Sequence, residues 1–236
     1  MFSSIQITNY NFTCIILYRH NIQRWNNLKR VLEWINSFSG AEVIIVEQDT
    51  HSKIGHLNFP AKHIFTKSNM PFNKAWAFNV GLKHATTDVI VFGDCDLVMD
   101  PQKMINALRM LDQYECVSPY SRVIDLNQNE VNLPLEELSK IERPGRGETD
   151  IQKICLAGGI IMYKKDAIYK IGGWCEDFVG WGGEDDYQSH KSKMFLNCYE
   201  QQGTTCYHLW HERGAPDPTP YQRNLALLNK LVQLPL

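Results

Sequence analysis

The chain lacks cysteine pairs at C-x-x-C spacing. Its 7 cysteines are odd in number and scattered at positions 14, 95, 116, 155, 175, 198 and 206. That argues against a disulfide framework or a zinc knuckle and for the reduced thiols of a cytosolic protein. No apolar run is long enough to span a bilayer, because the longest near the start, Phe12 to Tyr18, covers too few residues. No basic stretch precedes it, as a secretory signal would require. A strong charge of either sign is also missing. The net value of -2 gives no global reason to expect nucleic acid or an anionic membrane as partner. No internal repeat or low-complexity tract is present. At 236 residues with 44% hydrophobic and 21% charged, the length suits one large domain with a full core, and the composition is that of a soluble globular protein.

What is present is organised around Asp88-Val89-Ile90-Val91-Phe92-Gly93-Asp94-Cys95-Asp96. A short β-branched and aromatic run between polar ends reads as a strand buried on both faces. Its carboxyl end carries two acids one residue apart, where ligands of open α/β sheets sit. Acids so close repel unless a cation joins them, and a divalent metal carrying a diphosphate would use them. Helix capping and solvent exposure are the plainer uses, and an acid-x-acid pair alone does not decide.

Other segments fall around that strand. Phe12 to Tyr18 predicts a buried strand and Ile22 to Phe38 a helix, with Trp25, Leu28, Leu32 and Ile35 inward and Gly40 as a stop. Glu42 to Glu47 and Ala61 to Thr66 read as strands, and Phe72 to His84 as a helix with Trp76, Val80 and Leu82 inward. The β-α-β-β-α-β order predicts a mostly parallel sheet, with a nucleotide-binding half before about residue 100. Pro101 to Leu111 reads as a helix and Glu115 to Ser118 as a strand. Arg122 to Asp150 reads as a polar excursion with a short helix at Leu135 to Ile141. Its Arg143-Pro144-Gly145-Arg146-Gly147 stretch reads as a mobile, solvated loop whose arginines could also meet phosphate or acceptor. Ile154 to Tyr163 predicts a strand interrupted by Gly158-Gly159, where something approaches the backbone closely. Lys164 to Ile171 predicts a short helix.

The second informative stretch runs from Gly172-Gly173-Trp174 to Gly180-Trp181-Gly182-Gly183-Glu184-Asp185-Asp186, with a helix expected from Tyr187 to Leu196. Acids at a helix start suit its dipole. That does not explain a glycine-dense loop setting a tryptophan beside carboxylates, which is how proteins grip sugars, with the ring on CH faces and the acids on hydroxyls.

Together these blocks resemble the β-1,4-galactosyltransferase family and its relatives, inverting glycosyltransferases of the GT-A fold. The resemblance is collinear from about Ile15 to Arg223. It includes Ile15-Ile16-Leu17-Tyr18-Arg19, Phe72-Asn73-Lys74-Ala75, Asn79-Val80-Gly81, Asp94-Cys95-Asp96, Gly158-Gly159 and Trp181-Gly182-Gly183-Glu184-Asp185-Asp186. The last string is its most specific element. The resemblance implies a single GT-A α/β domain over 1–236, with residues after about 100 forming an acceptor- and metal-binding half. It implies manganese or a similar ion on Asp96, and UDP-sugar as donor. The family takes further ligands from a Met-x-x-His segment, matched here by His208-Leu209-Trp210-His211, so that His208 replaces the methionine. Imidazole is the better ligand for such an ion. Asp185 matches the catalytic base. Glu184 and Asp186 match acids near acceptor or donor hydroxyls, and Trp181 matches a mobile loop tryptophan serving both substrates. Arg19, Phe72, Asp94 and Gly159 fall at donor-binding positions, and Glu47 or Asp49 joins them by its place at a strand end.

Departures matter too. Leu156, two residues before the Gly-Gly pair, stands where galactose-using members carry tyrosine, which leaves galactose and N-acetylgalactosamine both open as donor sugars. Val179 replaces a loop tryptophan, and the excursion is longer than in vertebrate relatives. Without the anchor and disulfides of those relatives, the chain is expected to be cytoplasmic and to build surface polysaccharide, with room for peripheral contact at the inner membrane face. Its acceptor would be a glycan, glycolipid or glycoprotein, and no nucleic acid. A metal-dependent phosphoesterase or nucleotidyltransferase would also use Asp94, Asp96 and the histidines, but would not need the Trp181 loop. A glycan-binding module would have lost an acid from one of the two sets, and neither is lost.

Overall fold

A computed structural model of the protein describes residues 10–55, 57, 59–148, 154–212 and 218–233. Strand β1 (Phe12–Tyr18) is buried along its whole length, as a central strand covered on both faces must be. Helix α1 (Ile22–Ile35) starts at Asn21, whose side chain accepts from the Gln23 N–H. It ends three residues before the predicted Phe38. That residue is still core, set edge-on to Phe12 and Trp34 at 5.9 and 5.5 Å, so the apolar spacing marked burial beyond the helix end. Strands β2 (Ala41–Asp49) and β3 (Lys62–Lys67) follow, then helix α2 (Lys74–His84), capped by Asn73 accepting from the Trp76 N–H. Strand β4 (Val89–Asp94) is the organising strand.

The chain continues through β5 (Leu97–Met99), α3 (Pro101–Met110), β6 (Cys116–Ser118), β7 (Arg122–Asp125), α4 (Leu135–Leu138), β8 (Ile160–Lys164) and α5 (Lys165–Lys170). It closes with α6 (Glu184–Phe195), β9 (Cys198–Glu200), β10 (Thr205–His208) and α7 (Pro218–Leu231). Seven strands form one sheet in the order β3-β2-β1-β4-β8-β6-β9. Its first four strands are mutually parallel, β8 runs antiparallel to both neighbours, and β9 is parallel to β6. The sheet is therefore mostly parallel, as expected. A second sheet, β5-β10-β7, stands beside it.

Alternation along β1 divides the core. Phe12, Cys14, Ile16 and Tyr18 face α1 and α3, whereas Ile15 and Leu17 face α2 and α5. After β3 the chain returns to pair β4 with β1 on the side away from β2. That reversal opens a crevice beyond the carboxyl ends of β1 and β4, where such sheets bind ligands.

Several boundaries differ from expectation. On α2 the buried face is Ala75, Phe78 and Leu82, while Trp76 and Val80 are half-buried. The Arg122 to Asp150 excursion is not irregular from its start: Arg122 to Asp125 form β7, paired in parallel with β10. That pairing joins residues about eighty apart, which local sequence cannot display. Arg143 and Arg146 face partners inside the excursion, Glu130 at 2.6 Å and Asp125 at 3.0 Å. They are tied down by opposite charge rather than held ready for phosphate. Thr149 and Asp150, at its end, and the residues after Glu212 up to 217 lie outside the described residues. Strand β8 begins only at Ile160, after the Gly-Gly turn, and α6 begins at Glu184 rather than Tyr187. The seven cysteines are free. No helix among the described residues is long and apolar enough to cross a membrane.

Close packing of α2 on the sheet rests on Gly81. A Cβ there would sit 2.3 Å from Ile15 Cγ2 and 3.2 Å from Val46 Cγ2. Both neighbours are fully buried and β-branched, so neither has rotamers to spare. Alanine gains about 1 kcal/mol of helix propensity, against about 1–3 kcal/mol for overpacking. Gly81→Ala should therefore lower the midpoint of denaturant unfolding. A rise would show that α2 can shift outward at no cost.

Candidate active site

The crevice contains two clusters joined by the Asp94-Cys95-Asp96 turn. The first is built by α2, β4 and α6. Lys74, in the first turn of α2, reaches Asp185 at 2.9 Å and Asp94 at 3.2 Å. A cation there opposes the helix dipole, so local helix energetics do not explain it. The two carboxylates do. Asp185 stands in the first turn of α6 with Glu184 and Asp186, where that helix favours negative charge. No side chain caps α6. Gly183 holds the N-cap at φ 88, a left-handed backbone that favours glycine.

Charge is concentrated here. Burial raises the Asp185 carboxyl to about 8, opposed by Lys74 and reinforced by Glu184 and Asp94. Burial also raises Glu184, whose Oε2 is buried without a partner. For Lys74, burial works against its charge, but Asp185, Asp94 and Glu184 outweigh it and hold the ammonium well above its ordinary value. Asp186 is exposed.

Asp96, His208 and His211 form the second cluster, with one ligand-type atom of each within 4.8 Å of the others. His211 Nε2 lies 3.2 Å and His208 Nε2 3.8 Å from Asp96. Burial raises the Asp96 carboxyl, but the hydrogen bond from His211 and the two imidazole charges bring it down to about 2. His211 is raised in turn, chiefly by that hydrogen bond. Each outer imidazole nitrogen has its own partner. His211 Nδ1 meets the Glu212 carbonyl at 3.1 Å, and His208 Nδ1 meets Asp125 at 3.1 Å. Carboxylate or carbonyl support behind an imidazole is how metal-ligating histidines are oriented. One carboxylate and two imidazoles suit a first-row divalent ion and leave coordination positions open. The donor set fits such an ion.

The remaining expected residues divide into those facing the crevice and those that do not. Arg19, past the end of β1, donates to the Gln48 and Met70 carbonyls at 2.7 and 2.9 Å and lies 5.5 Å over the Phe72 ring. Gly159, at φ 89, accepts from the Asp94 N–H, and a Cβ on it would strike the Tyr120 hydroxyl. The close approach expected at the Gly-Gly pair is thus made by Tyr120. Trp181 is 63% exposed and stacks on Tyr221 of α7 at 5.2 Å. Glu47 is 0% exposed, and its carboxylate is engaged by Ser52, the Lys53 N–H and His63. It fastens the β2–β3 connection and does not open onto the crevice, whereas Asp49 at the same strand end accepts from the His20 N–H. Leu156 is buried in the core on the α2 side.

Sequence reasoning passed over Lys74 and Asp125. A lysine in the first turn of α2 was the available signal for the first. Asp125 gave none, because its place depends on β7 pairing with β10.

A mostly parallel sheet with acids at its switch point, met by imidazoles from the smaller sheet beside it, defines an α/β fold with its candidate site beyond the carboxyl ends of the strands. The profile of Glycosyl transferase family 2 matches residues 14–172, and the chain belongs to that family. A second profile, the N-terminal domain of galactosyltransferase, matches residues 148–211. Beta-1,4-galactosyltransferase 5 of Danio rerio is 29% identical over 123 residues, covering 50% of this chain and 26% of that protein. Among solved structures, GalNAc-T7 with UDP, GalNAc and Mn2+ superposes with a TM-score of 0.66 at 14% identity, over 93% of this chain and 47% of that one. A Drosophila beta-1,4-galactosyltransferase 7 variant in complex with manganese, UDP-Gal and xylobiose gives 0.55 at 15% identity, over 86% and 72%. The fold is GT-A. The chain spans about a quarter of the curated relative it matches and under half of the GalNAc-T7 chain.

Lys74→Met tests the first cluster. A carboxyl raised from 3.8 to about 8 stabilises the fold at low pH and loses that contribution as pH rises through about 8. Removing the cation steepens that loss. Breaking such a pair costs about 3 kcal/mol, so unfolding should show a larger deficit at pH 9 than at pH 5. Equal deficits at both would mean that Lys74 contributes packing and not charge.

Proposed function

We propose that the chain is a metal-dependent, inverting glycosyltransferase that moves galactose or N-acetylgalactosamine from a UDP-sugar to a glycan acceptor hydroxyl. The role assigned is surface polysaccharide synthesis, with a glycan, glycolipid or glycoprotein as acceptor. The observation that carries the reading is one crevice joining Asp96, His208 and His211 to Asp94, Lys74 and Asp185 through a single turn. The GalNAc-T7 and Drosophila structures, with their nucleotide, sugar and manganese, support it. The whole chain acts as one domain, its first hundred residues holding the nucleotide and the rest completing the metal and acceptor sites.

In this reading Asp96, His208 and His211 hold manganese or a similar divalent cation, which supplies Lewis-acid stabilisation of a leaving diphosphate. Arg19 and Phe72 flank the uridine, and Asp94 and the Gly159 backbone face the donor. Lys74 holds Asp185 against Asp94 until substrates arrive. The acceptor oxygen attacks the anomeric carbon, the bond to the diphosphate breaks with its electron pair leaving on UDP, and the acceptor proton passes to Asp185. Attack opposite the leaving group inverts the anomeric centre. Trp181, Glu184 and Asp186 meet the sugars, Trp181 by its face and the acids by hydroxyl hydrogen bonds.

UDP release in the presence of manganese, measured over a panel of UDP-sugars and sugar acceptors, tests the reading. Turnover confined to a non-nucleotide phosphoester would sink it. Asp185→Asn should cost about 10²–10⁴ in turnover with UDP-sugar affinity within a few-fold of the parent. Because burial holds Asp185 at about 8, kcat/KM should climb with pH through that value, and a profile flat from pH 6 to 9 would remove it as base. His211→Ala should raise the manganese concentration needed for half-maximal rate. Asp125→Asn, acting through His208, should raise it about 10-fold or more. An unchanged manganese requirement in both would reassign the ligands.

A further inference from the structure

On the α1/α3 side of the sheet lies a cavity of about 1120 Å³, with the polar excursion as its outer wall. The excursion is fixed there by charge. Glu130 pairs with Arg143, Asp125 with Arg146, and Arg30 of α1 donates to the Leu133 carbonyl. Neither the sequence blocks nor the proposed chemistry accounts for this wall.

Its lining has a definite chemistry. Six side-chain amides face it: Gln23, Asn26, Asn27, Gln102, Gln128 and Asn132. Its cations, Lys29, Arg30 and Lys103, are matched in number by Glu33, Asp100 and Glu136, so it carries no net charge to draw a phosphate or a polyanion. Two of its lining residues, Gln23 and Arg30, each keep a buried polar atom without a hydrogen-bond partner, Oε1 and Nη1, a costly state. Trp210 contributes an aromatic wall. Small-molecule pockets hold roughly 300–1,000 Å³, so the space exceeds what a single sugar needs.

Trp210 also joins this cavity to the crevice. It stands between His208 and His211, and Asn27 of α1 donates to the Leu209 and Trp210 carbonyls at 3.4 and 3.1 Å. One segment therefore has the metal-type cluster on one side and the amide-lined cavity on the other.

We propose that this cavity is a second glycan site, which takes a neutral oligosaccharide of several units through its amides and Trp210. It deepens the transferase reading, on which it rests for the ligand's role: the bound glycan is the already built part of the acceptor. Amides satisfy hydroxyls as both donor and acceptor, the aromatic face takes CH groups, and matched charges exclude anionic chains. The excursion is the device that makes the site.

The test is retention of the full chain, with manganese and UDP, on an immobilised panel of neutral and anionic glycans graded from disaccharides upward. Slow manganese-dependent hydrolysis of UDP-sugar is followed in parallel. Neutral chains should be retained more strongly with length. Asn132→Trp and Ser139→Trp, which fill the cavity, should weaken that retention about tenfold or more and leave hydrolysis unchanged. The double variant Gln128→Ala/Asn132→Ala, which adds no bulk, should weaken it in the same direction. Retention indifferent to all three changes, preference for anionic chains, or no retention of any glycan would overturn the proposal. Length-dependent retention lost in the variants, from a chain that neither hydrolyses nor transfers, would uphold the site and sink the transferase reading instead.

Discussion

A lysine placed where a helix repels it holds the crevice together. Lys74 enters from the first turn of α2, Asp94 from the end of β4, and Asp185 from the first turn of α6. Helix α6 is far in sequence from the adjacent α2 and β4, and the sheet alone does not dictate how it should meet α2. Without the ammonium, Asp94, Glu184 and Asp185 would face one another in a poorly hydrated corner, where like charges cannot all remain ionised. With it, the helix that carries the proposed base is drawn to the first turn of α2. Charge and architecture are thus one constraint, and a conservative change at Lys74 acts on both.

A second pairing does the same on the other side. Strand β10 brings His208 beside β7, whose last residue, Asp125, stands behind the imidazole. The antiparallel contact of β10 with β5 sets His208 opposite Leu97, one residue after Asp96. A sheet of three strands, each three or four residues long, is what converges a carboxylate from residue 96 on histidines more than a hundred residues later. The excursion, which reads as an insertion, therefore begins as part of this support.

How much could be read in advance follows from the range of the interactions. The first four strands and two helices were legible because burial on both faces and helical spacing are local signals. The acids after β4 and the string ending in Asp185 were legible as residue types, and the resemblance gave them an order. Lys74 was visible in the Phe72-Asn73-Lys74-Ala75 stretch, which is silent about its partners. Strands β9 and β10 were missed because strands of three and four residues are too short to show a periodicity of their own. Helix α7 opens on Pro218 and Pro220, a residue type that ends helices as readily as it starts them. On α2, Phe78 is buried and the larger Trp76 only half-buried, and Gly81 and Ala75 show that the close side of that helix is the small one.

The Trp181 loop shows why α7 matters to a site it does not line with charge. Asn224, 0% exposed, donates to the Val179 and Trp181 carbonyls, and Pro220 and Tyr221 pack under Gly180 and Gly182. The loop is therefore held at its base while its indole remains mostly in solvent. An exposed tryptophan forgoes roughly 2 kcal/mol or more of burial, so stacking on Tyr221 alone is a poor resting place. In the proposed reaction a bound sugar supplies the missing surface. The glycines on either side of Trp181 hold left-handed backbone that a side chain would strain, and in the proposed reaction they are the hinges on which the ring would move. A rigid loop would fix Asp185 equally well, but it could not cover a donor after admitting it. The division between a pinned base and a free tip lets one loop serve both demands.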